Sequence, residues 1–561
     1  MTAEKRSLGS AVTKIALLGL LSSLLWVSLG SCTPVTVVGG AGTSVDVDFD
    51  LAAQSVLRIN FGGADAANVR LVHVPVAGGQ LYLGKANVSG SAAAAAATGS
   101  VASFAAGRAA AAGGSAALSG GMLMDNERTR GFTPPPGARA KALLPSASVI
   151  SFGPKNPALT VGTSTRLFWV ENPPDILPQW VQVTATLRAA SETAYLWVVD
   201  SNFSNLSATS NDNKITQTQI DTLDTSFSGT SPTAGNGIRA LVSNIFSTEN
   251  GGEPSGDGGI DSDQHIQILI YDIDGDYNAH QTSGIMGYFW AKDEYLDANT
   301  QTWQTPYRSN EAELFYLDAY FADKAPDMMV STLAHEYQHM IHFNQKVLLR
   351  GIAGGSSTWF DEMCSMASED FVAQTLGLPD DATPRSRVPQ FNSFYYQSGV
   401  TDWLTGTDVL KSYASDYVFG AYLSRNFGGA RLFRELVVSS ATDQQAITNA
   451  LQTLGTGTSF EAVFRSYSPT FVFGNPAPAG AYSFPALATT FQGVTYNLPA
   501  FALSDYGTLA TFTPGQQTSL RPYGHSIHTA SAWTNPAEST VVVVEKPLSS
   551  GVQMSLMFVK H

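Results

Sequence analysis

The chain has 561 residues, 44% of them hydrophobic, and a formal net charge of −15. That length exceeds one ordinary domain and can fill a large core, while the acidity excludes the basic footprint that nucleic-acid binding requires. With only Cys32 and Cys364, a disulfide framework is excluded as well.

The first predicted element is a targeting segment. Lys5, Arg6 and Lys14 precede an apolar run at 15–29 that ends in Leu29-Gly30-Ser31-Cys32. The small residues before Cys32 resemble a bacterial lipobox. That resemblance implies a signal peptide over 1–31, acylation of Cys32, and a lipid anchor in the cell envelope, at the outer membrane or cell surface. A plain signal peptide with release from the cell is the alternative. Removing 1–31, with three basic residues and one acidic, takes the net charge from −15 to −17.

Residues 32–90 hold short β-like runs at 55–61 and 69–76 and read as a small β-rich region. Residues 91–148 form an Ala/Gly/Pro-rich linker. Its first part, 91–121, lacks the large side chains needed to offset chain entropy and is expected to be a disordered tether. Pro134-Pro135-Pro136-Gly137 marks a boundary. Strands are predicted at 159–161, 165–170, 180–187 and 194–199, a helix at 215–227, and a strand at 266–271 that runs into Asp272-Ile273-Asp274-Gly275-Asp276. Asp257, Asp261, Asp263 and the 272–276 acids could hold Ca²⁺, but no twelve-residue loop ends in Glu, and a polar turn is the preferred reading. The run 312–321 is expected to be an exposed edge strand able to pair with an extended peptide.

The most informative string follows: His335-Glu336-Tyr337-Gln338-His339, inside an apolar-faced helix free of Gly and Pro from 327 to 343. Two His four residues apart share a helical face, about 6 Å apart along the axis at a rise of roughly 1.5 Å per residue. Both imidazoles can reach one Zn²⁺, while Glu336 projects to the side as a candidate general base. A catalytic zinc needs a third protein ligand. A second helix at 357–370 carries Glu362 and Glu369 seven residues apart on one face, with a Gly-rich turn at 351–355 before it. Glu362 is assigned as the ligand and Asp361 is a weaker rival. Glu369 is read as a solvated carboxylate, or alternatively as the group that orients a His ligand. His342 lies too far along the helix, about 10.5 Å from His335, and is assigned a packing role beside the ligands. Cys364 reads as a small core residue.

After residue 412 the chain reads helical, with an aromatic face that includes Tyr413, Tyr417 and Tyr422. Further helices are expected at 430–438, 444–454 and 460–467. The part from 475 onward, with β runs at 540–544 and 554–559, reads as a C-terminal β-domain in which His525 and His528 are structural or exposed.

The pairing of H-E-x-x-H with Asp361-Glu362-Met363-Cys364-Ser365-Met366-Ala367-Ser368-Glu369 resembles the gluzincin metallopeptidases. Together with Ser309-Asn310-Glu311-Ala312-Glu313 and the aromatic stretch 413–422, it is similar to the hyicolysin-like family, peptidase M30, over about 150–475. The resemblance implies an α+β fold of two lobes: a mixed β N-lobe with the active-site helix (149–343) and a helical C-lobe (344–474). β-rich regions flank them. It implies a zinc metalloendopeptidase acting on proteins or peptides, with a tyrosine of the second lobe stabilising the oxyanion. Tyr417 is the chosen candidate among Tyr413, Tyr417 and Tyr422. A surface-anchored binding or adhesion protein without turnover is the competing class. Oligomeric state is not legible.

Overall fold

The computed structural model describes residues 81–90 and 159–529, apart from 174–175, 205–212, 230–235, 253–255, 279–282, 474–481 and 513–519. It also describes 35–38, 44–48, 56–61, 68–72, 99–102, 122–123, 134–135, 540–544 and 554–560. The signal segment and Cys32 lie outside the described residues. Among the described residues no helix is long and apolar enough to cross a membrane.

The fold is α+β. Its centre is a six-stranded sheet built from Thr165–Glu171 (β1), Trp180–Ala190 (β2), Ala194–Val199 (β3), Ile266–Tyr271 (β4), Gly287–Phe289 (β5) and Leu314–Asp318 (β6), in the order β5-β6-β4-β3-β2-β1. Strands β3, β4 and β6 run parallel, and the pairs at both margins are antiparallel. Every residue of β4 and β6 is buried, as expected for central strands covered on both faces. One face packs on the helices Gln217–Ser228 (α1), Ile238–Phe246 (α2) and Pro326–Phe343 (α3), through side chains such as Phe227, Ile268, Phe315 and Tyr337. The other holds a separate aromatic core with Phe168, Trp197, Tyr288, Trp290 and Tyr316.

The expected edge strand at 312–321 is corrected here. Its strand is only Leu314–Asp318, and it lies inside the sheet; the edge is Gly287–Phe289. The unbroken apolar run Leu314-Phe315-Tyr316-Leu317 signals burial on both faces, which an edge does not need. Asp318 then caps a short helix, Ala319–Lys324, accepting from the Tyr320 and Phe321 N–H groups. Gly287 permits a close approach: a Cβ there would lie 2.8 Å from the Tyr316 carbonyl oxygen and 2.9 Å from the Thr332 Cγ2 of α3.

Helix α3 starts with Pro326 at its first turn and is buried at every residue from Met329 to His342. A helix buried on all sides lies deep in a large core. A π-helical turn, Asn344–Leu348, and a Gly-rich loop lead to Thr358–Leu376 (α4), which Gly377 ends at φ 69°. Helix Val409–Asn426 (α5) packs across α4, followed by Gly429–Val438, Asp443–Thr453 and Phe460–Tyr467. These bounds agree with the sequence reading to within a residue or two, except that α4 runs six residues past the expected end at 370 and α5 starts four residues before the expected onset after 412.

The flanking regions depart from the expected division. Val35–Val38, Val56–Phe61, Met554–Lys560, Leu81–Asn87 and His525–Thr529 form one five-stranded sheet in that order. Ser44–Asp48, Asn68–Val72, Thr540–Val544 and Gly99–Ala102 form a four-stranded one. Residues 32–90 and 475–561 are therefore not separate modules: their strands alternate within shared sheets. The stretch 99–102, placed in the expected tether, is one of those strands. Pairing between segments more than 400 residues apart leaves no local mark on either. The Asn87 side chain donates to the Arg521 carbonyl at 3.1 Å, and its backbone N–H donates to that of Gly524 at 3.0 Å.

Deleting residues 33–90 should therefore unpair the C-terminal strands rather than leave a trimmed, intact fold. We expect lower soluble yield and rapid proteolysis after residue 520. A soluble truncation with unchanged Tm and an intact C-terminus would contradict the pairing.

Candidate metal centre

Helices α3 and α4 meet through small polar side chains that tie one to the other. Ser368 Oγ donates to the Ala334 carbonyl at 2.8 Å, Ser365 Oγ donates to Gln338 Oε1, and Ser331 Oγ donates to Glu369 Oε2 at 2.7 Å. Glu362, Ser365 and Glu369 follow one another at spacings of three and four, so they share the face of α4 that meets α3.

That contact brings His335, His339 and Glu362 together, with one ligand atom from each lying within 4.8 Å of the others. Glu362 Oε2 lies 3.1 Å from His335 Nε2 and 3.8 Å from His339 Nε2. The His339 Nε2 is buried with no hydrogen-bond partner, and His335 Nε2 likewise makes no hydrogen bond of good geometry. Two buried imidazole nitrogens aimed at a carboxylate oxygen suit a Zn²⁺ ligand set of two nitrogens and one oxygen. Among the described residues no other group of three such side chains converges in this way. Asp257, Asp261, Asp263 and the 272–276 acids form no such group. Glu336 is fully buried and stands apart from the three ligands.

The far nitrogens of the two histidines both face carboxylates. His335 Nδ1 lies 2.8 Å from Glu369 Oε1, and His339 Nδ1 lies 3.1 Å from Asp361 Oδ1 and 3.1 Å from Ser365 Oγ. Such contacts fix the tautomer so that Nε2 carries the lone pair a metal needs. Glu369 is thus a buried orienting group, which corrects its reading as a solvated carboxylate. Asp361 meets His339 at Nδ1, on the far side of the ring from the three converging atoms. Its Oδ1 also lies 3.3 Å from His342 Nδ1, and His342 Nε2 pairs with Ser356 Oγ at 2.8 Å, so His342 packs beside the ligands as expected. Burial lowers the His342 pKa to about 4 and keeps the ring neutral. Cys364 is buried, and burial pushes its thiol well up, consistent with a core role.

Helix α5 brings up the tyrosines, and here the sequence choice changes. Tyr413 Oη donates to Glu362 Oε1 at 3.3 Å, and its ring packs on Trp403. Tyr417, one turn on, is buried instead beside Asp370, Arg385 and Arg425, where burial and then Asp370 push its phenol well up. Residues i and i+4 share a helical face but sit about 6 Å apart along the axis. That one turn separates the ligand glutamate from the Asp370 ion pairs with Arg385 (3.1 Å) and Arg425 (2.8 Å). Tyr413 therefore replaces Tyr417 as the tyrosine at the site. His525 and His528 are structural: both are buried in one strand, and His525 packs between Phe464 and Phe471.

A model of the family described as peptidase M30 matches residues 180–548. The neutral metalloprotease ShpI of Staphylococcus hyicus is 36% identical over 228 residues, which cover 38% of this chain and 46% of that protein. The chain spans about half the length of this curated relative.

Two outcomes test the centre. Glu369→Gln should preserve the fold and weaken zinc binding about 10–100-fold in competition with a chromophoric chelator. Burial alone would lower both ligand histidines, but Glu362 and Glu369 raise His335 to about 9, and Asp361 with Glu362 raises His339 to about 9. Zinc must displace those protons, so stripped protein should take up zinc more tightly at pH 8 than at pH 6.

Proposed function

The chain belongs to the peptidase M30 family, and from that premise and its His–His–Glu group we propose that it is a zinc-dependent endopeptidase hydrolysing peptide bonds within proteins. The observation that carries this reading is the convergence of His335, His339 and Glu362 around one point, with the buried Glu336 on the same helix one residue after His335. A zinc ion held by these residues would supply Lewis acidity, bringing the pKa of a water to about 7 and polarising a carbonyl.

The chain's own groups do the rest. Glu336 accepts a proton from the attacking water and passes it to the leaving amine. Tyr413 donates a hydrogen bond to the oxygen that gains charge at the tetrahedral carbon. The edge strand Gly287–Phe289 packs against α3 through Phe289 and Phe343, ring centroids 6.0 Å apart, and can take an extended substrate by strand addition. An intact Glu336 supports turnover over a non-catalytic binding role, because a scaffold that only binds has no use for a base. We further propose that Cys32 is acylated and holds the enzyme in the cell envelope; loss of palmitate labelling in Cys32→Ser would support this, and retained labelling would refute it.

Unfolded casein is the first substrate to try, with the chain purified as Cys32→Ser. Cleavage should vanish with 1,10-phenanthroline and in Glu336→Gln, while zinc content in Glu336→Gln stays near one per chain. Full activity in that variant would remove Glu336 from its role. Tyr413→Phe should lower kcat by about 10²–10³-fold. Tyr417→Phe should act mainly on thermal stability.

A further inference from the structure

A cavity of about 570 Å³ lies between the first turn of α3 and the segment 380–390. Met328, Glu369, Thr383, Arg387, Leu410 and Tyr506 are among its walls. One of these walls touches a candidate metal ligand directly, and another reaches one through a single intervening residue. Glu369 is 2.8 Å from His335 Nδ1. The Arg387 guanidinium carbon lies 4.6 Å from the centre of the Tyr413 ring, whose hydroxyl reaches Glu362 at 3.3 Å.

The charges around this cavity are already matched, with two exceptions. Glu369 accepts from His335 and Ser331, and Asp380 is held by Arg385 and by Tyr506 at 2.7 Å. Asp381 stands exposed at the rim. Arg387 is half-buried and, among the described residues, has no carboxylate partner; only the Tyr413 ring faces it. The other arginines of this part of the fold are each ion-paired: Arg385 with Asp370 and Asp380, Arg425 with Asp370, and Arg521 with Asp402. A half-buried guanidinium left on an aromatic face is poised for a planar anion, which it can bind through two parallel N–H donors.

We propose that this cavity receives the side chain of a substrate residue next to the scissile bond, and that Arg387 makes the enzyme select an acidic one. An extended peptide advances about 3.3 Å per residue, and the contacts of Glu369 with His335 and of Arg387 with the Tyr413 ring put the cavity's walls directly beside the residues of the candidate metal centre. This inference rests on the peptidase reading and names the substrate class for that site: proteins or peptides with Asp or Glu beside the cut.

The test uses the zinc-loaded full chain, as Cys32→Ser, and quenched peptides of one sequence carrying Glu, Gln or Lys at each position flanking the cleavage site. At one position Glu should be preferred over Gln by about 10-fold or more in kcat/KM, the scale by which a charge-assisted hydrogen bond exceeds a neutral one. Arg387→Met should abolish that ratio, Arg387→Lys should keep part of it, and Arg387→Glu should turn the preference towards Lys. A merely structural arginine would lower all three peptides together and leave their ratios unchanged. Equal cleavage of Glu and Gln peptides by the parent enzyme, a Lys preference set by Asp381, or ratios unaltered by Arg387→Met would each overturn the proposal. Each ratio is taken within one protein, so a variant that folds poorly does not blur the result. Absence of any cleavage, of casein included, would sink the peptidase reading instead.

Discussion

The close packing of α3 against α4 is the contact on which the site depends. A histidine pair on one helix can hold a metal only if a third ligand arrives from elsewhere at the right height, and Glu362 arrives because Ser365 and Ser368 are small enough to let α4 approach. Those serines also hydrogen-bond to α3, so the register between the helices is set by directional contacts as well as by volume. A shift of one turn, about 5.4 Å, would carry Glu362 out of reach.

That packing creates an electrostatic problem and its solution together. Glu336, Glu362 and Glu369 are buried beside two imidazoles, with Asp361 at the margin. Four carboxylates gathered in low dielectric repel one another strongly, and burial charges more for each than water would. A divalent cation among them would balance half of that charge and give the Nε2 atoms their partner. The same carboxylates orient the imidazoles, so the group that favours the cation also fixes the ligand geometry. Metal binding and local order are thereby coupled, as linkage requires of any ligand that binds only the folded state.

Helix α5 divides its labour by position. Tyr413 reaches Glu362, while Tyr417 and Arg425, one and three turns further on, belong to the ion-pair cluster around Asp370 that joins α4, α5 and the 380s segment. Arg387 stands where these two parts meet. It follows Arg385 by two residues, yet it faces an aromatic ring and a cavity in place of a carboxylate. The distant ends of the chain complete the molecule, since the Leu81–Asn87 strand pairs on one side with Met554–Lys560 and on the other with His525–Thr529.

Local pattern alone determined the helix that carries His335, Glu336 and His339, the onset of the helix that follows it, most element bounds between 159 and 467, and the choice of Glu362 as the carboxylate that meets the two histidines. These follow from spacing on a helix of fixed pitch, which needs no knowledge of what the helix packs against. Spacing also put Glu369 on the face of Glu362, but whether that face met water or a histidine was a matter of packing. Only the tertiary structure decided between Tyr413 and Tyr417, because both lie on one face and differ only in which neighbour each turn meets. The same holds for the sheet edge, which falls at Gly287–Phe289 and not at the expected run 312–321, and for the chain ends, whose strands share sheets. Strand neighbours and helix neighbours come from parts of the chain far apart in sequence, and residues that meet only in space carry no local periodicity to announce it.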